Sequence, residues 1–334
     1  MQKNVDSRDE PFVSVVTPAY NAEPYLADCI RSVLAQTYSN WEYIVVNNCS
    51  TDLTQQIVER YASEDKRVRV IRNAAFVGAI ANHNIACRQI SAQSRYCKIV
   101  SADDWIEPNC LRKMVECGER YPTTGIIGAY QLSNQEVLWR GLPTDVSLQS
   151  GREACRLGLL KGIHVLGAPT SVLYRSELVR SRTPFFPHEG PHADTSACYA
   201  SLDRWDFGFV HEVLSHERVH PEQISSNVRK QGAGTVALIE TLLEYGPRFL
   251  TADELKTRQA EVLGEYHRWL AGCLLKMEGR AFWKFHSARM KQLGCPIDWR
   301  KVLAGTVQEI WSELSKPTVA FRKAASILRA KFQS

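Results

Sequence analysis

Short apolar runs alternate with segments of helical period along residues 12–117. Four runs that end in polar or turn-forming residues predict strands, over residues 12–17, 41–46, 68–71 and 96–100. Between them, apolar residues recur every three or four positions and predict helices that begin near Glu23, Thr51, Gly78 and Pro108. Alternating strands and helices favour a parallel sheet with right-handed crossovers. We therefore predict an α/β fold with a Rossmann-like, doubly wound and mostly parallel sheet.

The pattern becomes irregular after Tyr130. Residues 163–222 are rich in proline, histidine and glycine and predict a substrate-facing half built from loops. The stretch "FGFVHEVLSHERVHPEQISS" predicts a strand pair followed by a loop. The remaining chain predicts a C-terminal helical region, with helices over 236–245, 252–278, 280–293, 298–314 and 318–331.

Composition narrows the class of protein. The chain has 334 residues, of which 44% are hydrophobic, with ten cysteines and a formal net charge of +5. Because no C-x-x-C pair occurs, a thiolate zinc site is improbable, and unpaired thiols fit a reducing cytoplasm. The polar N-terminus and the absence of long apolar runs predict a cytoplasmic protein that at most lies on the inner face of a membrane.

Two polar pairs follow predicted strands at the edge where open α/β sheets bind ligands. Asn47-Asn48 ends the run "YIVVNN", and Asp103-Asp104 ends the strand before Trp105. Adjacent carboxylates repel, so a cation such as Mg²⁺ or Mn²⁺ would stabilise Asp103 and Asp104. A pair of acidic residues before a helix N-terminus is the alternative interpretation.

Three stretches together resemble the family 2 glycosyltransferases: "VSVVTPAYNAEPYLADCIRSVLAQTYSNWEYIVVNNCSTD", "RNAAFVGAIANHNIA" and "YCKIVSADDWIEPNCLRKMV". The similarity is close over residues 12–117 and looser to about 226. It implies the GT-A fold and an inverting transfer of a sugar from a nucleotide diphosphate sugar, such as a UDP-sugar, with Mn²⁺ or Mg²⁺. The implied acceptor is a glycan or a lipid-linked sugar in surface polysaccharide biosynthesis, and nucleic acid is not an expected partner.

The resemblance also assigns residue roles. Asp103 and Asp104 are the implied metal ligands, with Asp104 preferred as the direct one. Asn48 would read the base, whereas Asn47 either contributes or only shapes a turn. The residues that the resemblance implies for nucleotide-sugar binding are Thr17, Pro18, Ala19, Tyr20, Asn21, Asn48, Asp52, Asn84, Asp103, Arg218 and His220.

The chain departs from the family's commonest form at three places. Asn-Asn-Cys at residues 47–49 replaces Asp-Asp-Gly, and Ser101 replaces the first aspartate of an Asp-x-Asp-Asp motif. His83 stands where many relatives have arginine, and a histidine holds phosphate only when protonated. These departures leave a non-catalytic nucleotide-sugar-binding relative as an alternative. A nucleotidyltransferase is disfavoured, because "TPAYNAEPY" lacks the glycine and lysine of its usual loop.

An inverting transferase needs a general base for the acceptor hydroxyl. Asp194, at a predicted loop-to-helix junction, resembles the family's catalytic acid, and helix capping is the alternative role. Arg218 and His220 resemble an Arg-x-His element that approaches the donor diphosphate; a surface salt bridge of Arg218 with Glu217 or Glu222 is the alternative.

The predicted organisation is a glycosyltransferase domain over 1–230 and a helical extension over 231–334. The domain divides into a nucleotide-binding half (12–117) and an acceptor-binding half (118–230). From Lys316 onward the chain has five basic residues and no acidic one, interspersed with apolar residues. That composition is typical of a helix on an anionic membrane, and equally of a packing helix with a basic face.

Overall fold

A computed structural model describes residues 10–140, 142–161, 166–190, 192–221, 223 and 232–315. These residues form two compact units. The first contains the described residues up to 223 together with Arg248–Leu250, and the second contains 232–247 with 251–315. The predicted domain boundary at residues 230 and 231, and the predicted helix 318–331, lie outside the described residues.

The first unit begins with the four predicted strands, each close to its predicted bounds. They are β1 (Val13–Ala19), β2 (Trp41–Asn47), β3 (Val68–Arg72) and β4 (Tyr96–Ile99). The helices between and after them are α1 (Leu26–Leu34), α2 (Thr54–Glu64), α3 (Ala79–Cys87) and α4 (Cys110–Arg120). All strand pairs in this half are parallel, with β1 between β2 and β4 and β3 outside β2.

The sheet continues through strands from the irregular half. They are β5 (Trp105–Ile106), β6 (Thr124–Ser133), β7 (Glu136–Leu138), β8 (Leu148–Gln149), β9 (Val172–Arg175) and β10 (Asp206–Glu217). The order is β3-β2-β1-β4-β9-β6-β10-β5, with β7 on β6 and β8 on β10. Three helices accompany them: α5 (Gly151–Lys161), α6 (Ser176–Arg180) and α7 (Ala193–Ser201).

One sequence prediction in this half is wrong. The expected strand pair in "FGFVHEVLSHE" is the single strand β10, which pairs in parallel with β6. Shifts of register near Val210 and Val213 interrupt the pairing. Bulges of this kind disturb the alternation of apolar and polar residues, which is why the sequence imitates two shorter strands.

The buried core explains why the strands and helices of residues 12–117 lie close to the bounds predicted from the sequence. Residues of β1 and β2 are buried on both faces of the sheet, because helices cover both sides. Helices α1 and α4 contribute a buried stripe each, including Ile30 and Met114. Burial of continuous apolar strands and one-sided helices is the arrangement that an α/β sequence specifies.

The described part of the second unit consists of helices: α8 (Ala233–Phe249), of which Arg248 and Phe249 count with the first unit, α9 (Ala252–Leu275), α10 (Arg280–Gln292) and α11 (Trp299–Ser315). Thr251 begins α9 with a reciprocal cap, since its hydroxyl accepts from the backbone N–H of Glu254 while the Glu254 carboxylate accepts from Thr251. Among the helices that the structure describes, none is both long enough and apolar enough to cross a bilayer.

Candidate active site

The carboxyl ends of β1 and β4 mark the point where the strand order reverses, because β2 and β3 extend to one side of β1 and β4 to the other. Open α/β sheets bind ligands in the crevice at such a point. Thr17, in β1, forms hydrogen bonds with Tyr43 Oη at 2.9 Å and with the carbonyl of Val100 at 2.8 Å. Thr17 is fully buried, so it supports the floor of the crevice instead of facing a ligand.

Beyond this floor, the predicted nucleotide loop divides into buried and exposed parts. Pro18 and Ala19 end β1 and are buried. Asn21 adopts a positive φ of 46°, and its side-chain oxygen accepts from the backbone N–H of Thr51 at 2.9 Å. The loop after β1 is therefore fixed to the loop after β2, with Tyr20 turned outward between these anchored residues.

Two exposed aromatic rings face each other at this edge. Tyr20 is 49% exposed and Phe76 is 60% exposed, and their ring centroids are 4.9 Å apart. Aromatic rings that remain exposed beside a polar crevice offer a stacking surface for a nucleobase. Phe76 is absent from the sequence-predicted site, because an isolated aromatic residue in a loop carries no periodic or motif signal.

Asn47 shapes the turn at the end of β2. Its side-chain oxygen accepts from the backbone N–H of Ser50 at 3.0 Å, and its amide donates to Gln55 at 2.6 Å. Cys49, within this turn, has a φ of +57°, the left-handed region that favours glycine. The backbone conformation explains why the family's commonest form has glycine at that position.

Asn48 uses its amide to fix a neighbouring loop. Its amide donates to the carbonyl of Val77 at 2.8 Å, while its oxygen accepts from the Val77 N–H at 3.0 Å and from Asn73 at 3.0 Å. The residue is only 2% exposed. Asn48 thereby fixes the backbone next to Phe76. It supports the pair of exposed aromatic rings instead of forming part of their surface. Direct contact between Asn48 and a base stays a prediction.

Asp52 links the loops after β1 and β2 in the same way. Its carboxylate accepts from the backbone N–H of Glu23 at 2.9 Å and from that of Thr54 at 3.0 Å. Partial burial disfavours the charge of Asp52, but hydrogen bonds from Thr54 and Glu23 outweigh it, and the pKa of Asp52 lies below its ordinary value. Asp52 is thus a charged residue that connects the two loops just before α2 begins.

The two adjacent aspartates after β4 have different surroundings. Asp104 is 6% exposed and accepts from the Thr170 hydroxyl at 2.6 Å and from the backbone N–H of Arg218 at 3.2 Å. Burial, and next the nearby Asp103 carboxylate, raise the pKa of Asp104 to about 8. Asp103 is more exposed, and its Oδ2 accepts from His220 Nε2 at 3.1 Å.

Arg218 reaches the same place from the end of β10. Its guanidinium lies 5.3 Å from the centroid of the Tyr25 ring and 4.9 Å from that of Trp105. It donates to Asp28 at 2.9 Å and to the backbone carbonyl of Asp103 at 3.2 Å. The ionic partner of Arg218 is thus Asp28, on α1, which the sequence did not single out.

Asp194 lies in the first turn of α7, and its Oδ1 accepts from the backbone N–H of Thr195 at 2.8 Å. His192, not Asp194, is the N-cap residue of this helix. Burial raises the pKa of Asp194, and the nearby His192 imidazole and the hydrogen bond from the Thr195 N–H partly oppose this. A half-buried carboxyl with a raised pKa is suited to accept a proton near neutral pH.

Helix α3 connects the donor edge with the acceptor edge. Asn84 accepts from the backbone N–H of Phe186 at 2.8 Å and donates to its carbonyl at 3.1 Å. The carboxylate of Glu189 lies near Gly78, so that an added Cβ at Gly78 would be 3.2 Å from Glu189 Oε2. Asn84 therefore positions the loop before α7, and its predicted contact with the donor stays a prediction.

His83 also faces this junction. Its Nδ1 donates to the backbone carbonyl of Ala79 at 2.9 Å, and burial lowers its pKa. A neutral imidazole is a poorer phosphate ligand than the arginine that many relatives have at this position.

The residues present fit a divalent cation at Asp103. Carboxylate oxygens suit Mg²⁺ and Mn²⁺, and His220 Nε2, 3.1 Å from Asp103 Oδ2, could serve as a second ligand in the tautomer that carries its proton on Nδ1 instead of donating to Asp103. Within the described residues there is no cluster of three or more His, Cys, Asp or Glu side chains that could hold a metal. Donor phosphate oxygens would have to complete the coordination, as they commonly do for Mg²⁺.

Comparisons with known sequences identify the family of this chain. The chain matches the family model described as Glycosyl transferase family 2 over residues 14–182. TuaG of Bacillus subtilis (strain 168), a glycosyltransferase named for teichuronic acid biosynthesis, is 29% identical over 227 residues, covering 68% of this chain and 86% of TuaG. EpsH of the same strain, also named a glycosyltransferase, is 26% identical over 232 residues, covering 67% of this chain and 65% of EpsH.

Solved structures support the fold. The 1–349 fragment of S. aureus TarS, in complex with UDP-GlcNAc, has a TM-score of 0.57 and 20% identity, covering 76% of this chain and 72% of the fragment. The mannosyltransferase PcManGT from Pyrobaculum calidifontis, in complex with GDP-Man and Mn²⁺, has a TM-score of 0.55 and 15% identity, covering 92% and 89%. These neighbours confirm the predicted GT-A fold. Because the family match over residues 14–182 covers half of the chain, the chain belongs to glycosyltransferase family 2.

Proposed function

We propose that this glycosyltransferase moves a sugar from a UDP-sugar to a hydroxyl of a glycan or lipid-linked acceptor, with inversion, in surface polysaccharide biosynthesis. Residues 1–230 would carry the reaction and 231–334 would form a helical extension. The TarS structure with UDP-GlcNAc and the name of TuaG support the donor class and the pathway type. The observation that carries the proposal is the pair Asp103 and His220, held 3.1 Å apart at the strand-order switch.

The donor base would stack against Tyr20 and Phe76, whose rings are exposed at the end of β1 and in the loop that Asn48 fixes. Loop anchoring keeps these rings in place before the donor arrives, which lowers the entropy that binding costs. The ribose and diphosphate would then lie toward Asp103.

Asp103 and His220 would hold Mn²⁺ or Mg²⁺. Bound there, the cation would supply positive charge against the negative charge that develops on the leaving diphosphate. Arg218 would supply further positive charge, since its guanidinium already lies beside Asp103. The sequence prefers Asp104 as the direct ligand, but Asp104 is buried beneath its hydrogen bonds from Thr170 and the Arg218 N–H, whereas the Asp103 side chain is 30% exposed. We therefore place Asp103 first.

Asp194 would act as the general base. It would accept the proton of the acceptor hydroxyl while that oxygen attacks the anomeric carbon from the face opposite the diphosphate, which inverts the configuration. Its raised pKa makes Asp194 a stronger base than an ordinary aspartate, and it acts as a base only in its deprotonated form.

The test is a donor panel with the full chain. UDP-sugars and GDP-mannose are incubated with Mn²⁺, with and without a polyprenyl-diphosphate-linked acceptor, and the released nucleotide is identified. We expect UDP release that requires the cation and accelerates with acceptor, and a product whose NMR coupling shows the opposite anomeric configuration to the donor.

Other outcomes identify the alternatives. Donor-induced thermal stabilisation without release of any nucleotide would indicate a non-catalytic binding protein. Pyrophosphate production from a sugar phosphate and a nucleoside triphosphate would indicate a nucleotidyltransferase. Retention of configuration would contradict the inverting mechanism while leaving the transfer itself intact.

A further inference from the structure

The ring of Tyr25 contacts two side chains that the proposed reaction needs at the donor diphosphate. Its centroid lies 4.6 Å from the centroid of the His220 ring, with the two planes at 36°, and 5.3 Å from the guanidinium carbon of Arg218. A cation within about 6 Å of an aromatic centroid is attracted by the electrons on the face of the ring. One neutral side chain therefore contacts both members of the Arg-x-His element.

Tyr25 does not serve the helix at which it stands. It is the N-cap residue of α1, and its side chain makes no capping hydrogen bond. Serine, threonine, aspartate and asparagine are favoured at an N-cap, because their side-chain oxygens can accept from the backbone N–H groups of the first turn. Residues that contradict a local preference of this kind are expected mainly at functional sites. The contacts with Arg218 and His220 give Tyr25 such a function.

The other contacts of Arg218 leave one edge of its guanidinium available. Asp28, three residues after Tyr25 and so on the same side of α1, accepts from Arg218 Nη2 at 2.9 Å. Arg218 Nε donates to the backbone carbonyl of Asp103 at 3.2 Å, and the centroid of the Trp105 ring lies 4.9 Å from the guanidinium carbon. Among the residues that the structure describes, none accepts a hydrogen bond from Arg218 Nη1. That nitrogen can donate to a phosphate oxygen.

The orientation of Arg218 decides how well its charge meets the leaving diphosphate. A free arginine side chain samples many rotamers, and ordering it when the ligand binds costs free energy. Charged groups that are fixed before the reaction begins stabilise a transition state without that cost. The ring of Tyr25 helps to fix Arg218 and His220 without adding a negative charge, which would repel the diphosphate.

We infer that Tyr25 is a positioning residue, whose ring holds the Arg218 guanidinium and the His220 imidazole in the orientation that the donor diphosphate and its cation require. The inference rests on the proposed function, because that function places the diphosphate beside Arg218 and His220. The face of the ring carries this role. Among the described residues, none forms a hydrogen bond with the Tyr25 hydroxyl, so phenylalanine should substitute for tyrosine.

The test compares Tyr25→Leu with Tyr25→Phe in the full chain. Tyr25→Leu should lower kcat roughly threefold to thirtyfold, the scale of a cation–π contact, and should change the donor KM less, because the charge on the diphosphate develops in the transition state. Tyr25→Leu should also raise the Mn²⁺ concentration that gives half of the thermal stabilisation by UDP, because His220 loses its support. Tyr25→Phe should resemble the wild type in both measurements.

Tyr121→Leu is the matched control. Tyr121 is also half-buried and next to a helix, but it lies between α4 and the amino end of β6, at the opposite edge of the sheet from the carboxyl ends of β1 and β4. This variant should keep the kcat and the Mn²⁺ requirement of the wild type. A loss of folded protein alone lowers the amount of active enzyme and leaves the half-saturating Mn²⁺ concentration unchanged, so the Mn²⁺ measurement separates positioning from stability.

A second measurement uses only the wild type. In protein deuterated except at its tyrosine and histidine rings, a nuclear Overhauser effect should connect the ring protons of Tyr25 and His220 before donor and cation are added, because the two centroids are 4.6 Å apart.

Three results would overturn the inference: absence of this ring contact, a wild-type kcat and Mn²⁺ requirement in Tyr25→Leu, or equal losses in the leucine and phenylalanine variants. Failure of the proposed function gives a different result. A wild type that shows the ring contact and binds UDP with Mn²⁺ but transfers no sugar would contradict the proposed function alone. The shift in Mn²⁺ requirement between wild type and Tyr25→Leu would then still support the positioning role.

Discussion

The Nε2 atom of His220 lies 3.1 Å from the Oδ2 atom of Asp103, although 117 positions separate the two residues in the chain. Asp103 follows β4 and His220 follows β10, and the Tyr25 ring lies 4.6 Å from the His220 ring. A carboxylate and an imidazole are thereby prearranged at the one place in the sheet where a donor diphosphate would be expected.

Asp103→Asn should abolish the dependence of donor binding on Mn²⁺, because an amide oxygen is a far weaker ligand than a carboxylate. Asp104→Asn should reduce binding less, since Asp104 is buried and bonded to Thr170. The measurement is thermal stabilisation by UDP with and without Mn²⁺, with the exposed Asp145→Asn as control. A larger loss in Asp104→Asn than in Asp103→Asn would restore Asp104 as the direct ligand.

Phe76→Ala should raise the KM for the donor by roughly tenfold or more, because stacking of one base on an aromatic ring contributes about 1–3 kcal/mol. The value of kcat should change little, since the base is bound equally in the ground and transition states. Leu148→Ala removes another exposed apolar side chain, 38% exposed, in β8 away from the crevice and serves as control. An unchanged KM would mean that Phe76 does not contact the base.

Asp194→Asn should keep the donor affinity and lower turnover by roughly 10²–10⁴, the usual contribution of a positioned base. Because burial raises the pKa of Asp194, the wild-type rate should fall on acidification at a higher pH than for an ordinary aspartate. The base works only when deprotonated, so activity is lost as the pH falls through this raised pKa.

The control for this carboxyl is Glu189→Gln, which alters the other nearby acid. Glu189 should be dispensable if Asp194 is the base. Near-normal turnover in Asp194→Asn, combined with a loss in Glu189→Gln, would transfer the role to Glu189.

Cys49→Gly should increase the free energy of unfolding by about 1 kcal/mol, because Cys49 has a φ of +57° and a side chain strains that conformation. Cys49→Ala keeps a Cβ and therefore should not stabilise the chain. Denaturant unfolding of the three proteins measures the difference. Equal stabilities for the glycine and alanine variants would show that the turn is unstrained.

Asn48→Asp should lower the free energy of unfolding by roughly 1–3 kcal/mol, because a carboxylate cannot donate the bond that Asn48 makes to the Val77 carbonyl. A residue that only reads the base would leave stability unaltered and change donor affinity alone. Unfolding curves and donor affinity measured on the same variant separate these two roles.

Local sequence patterns determined much of the secondary structure of this protein. Strands β1 to β4 and helices α1 to α4 follow apolar periodicity, because continuous burial leaves few polar positions to confuse the pattern. Asn47 shapes its turn through residues within eight positions, so the turn was already one of the two roles that the sequence predicted. The motifs that resemble the glycosyltransferase family also lie in these segments, so the sequence alone predicted the fold and the reaction class.

Tertiary structure decided what the same residues contact. Thr170 bonds to Asp104 across 66 positions, Phe186 pairs with Asn84 across 102, and Asp28 pairs with Arg218 across 190. These partners come from distant segments, and they meet only because the sheet order places β9 beside β4 and brings the chain after it back to the edge formed by the first half. Strand pairing of this kind depends on contacts between distant segments, whereas sequence periodicity reports only which side of its own segment a residue occupies.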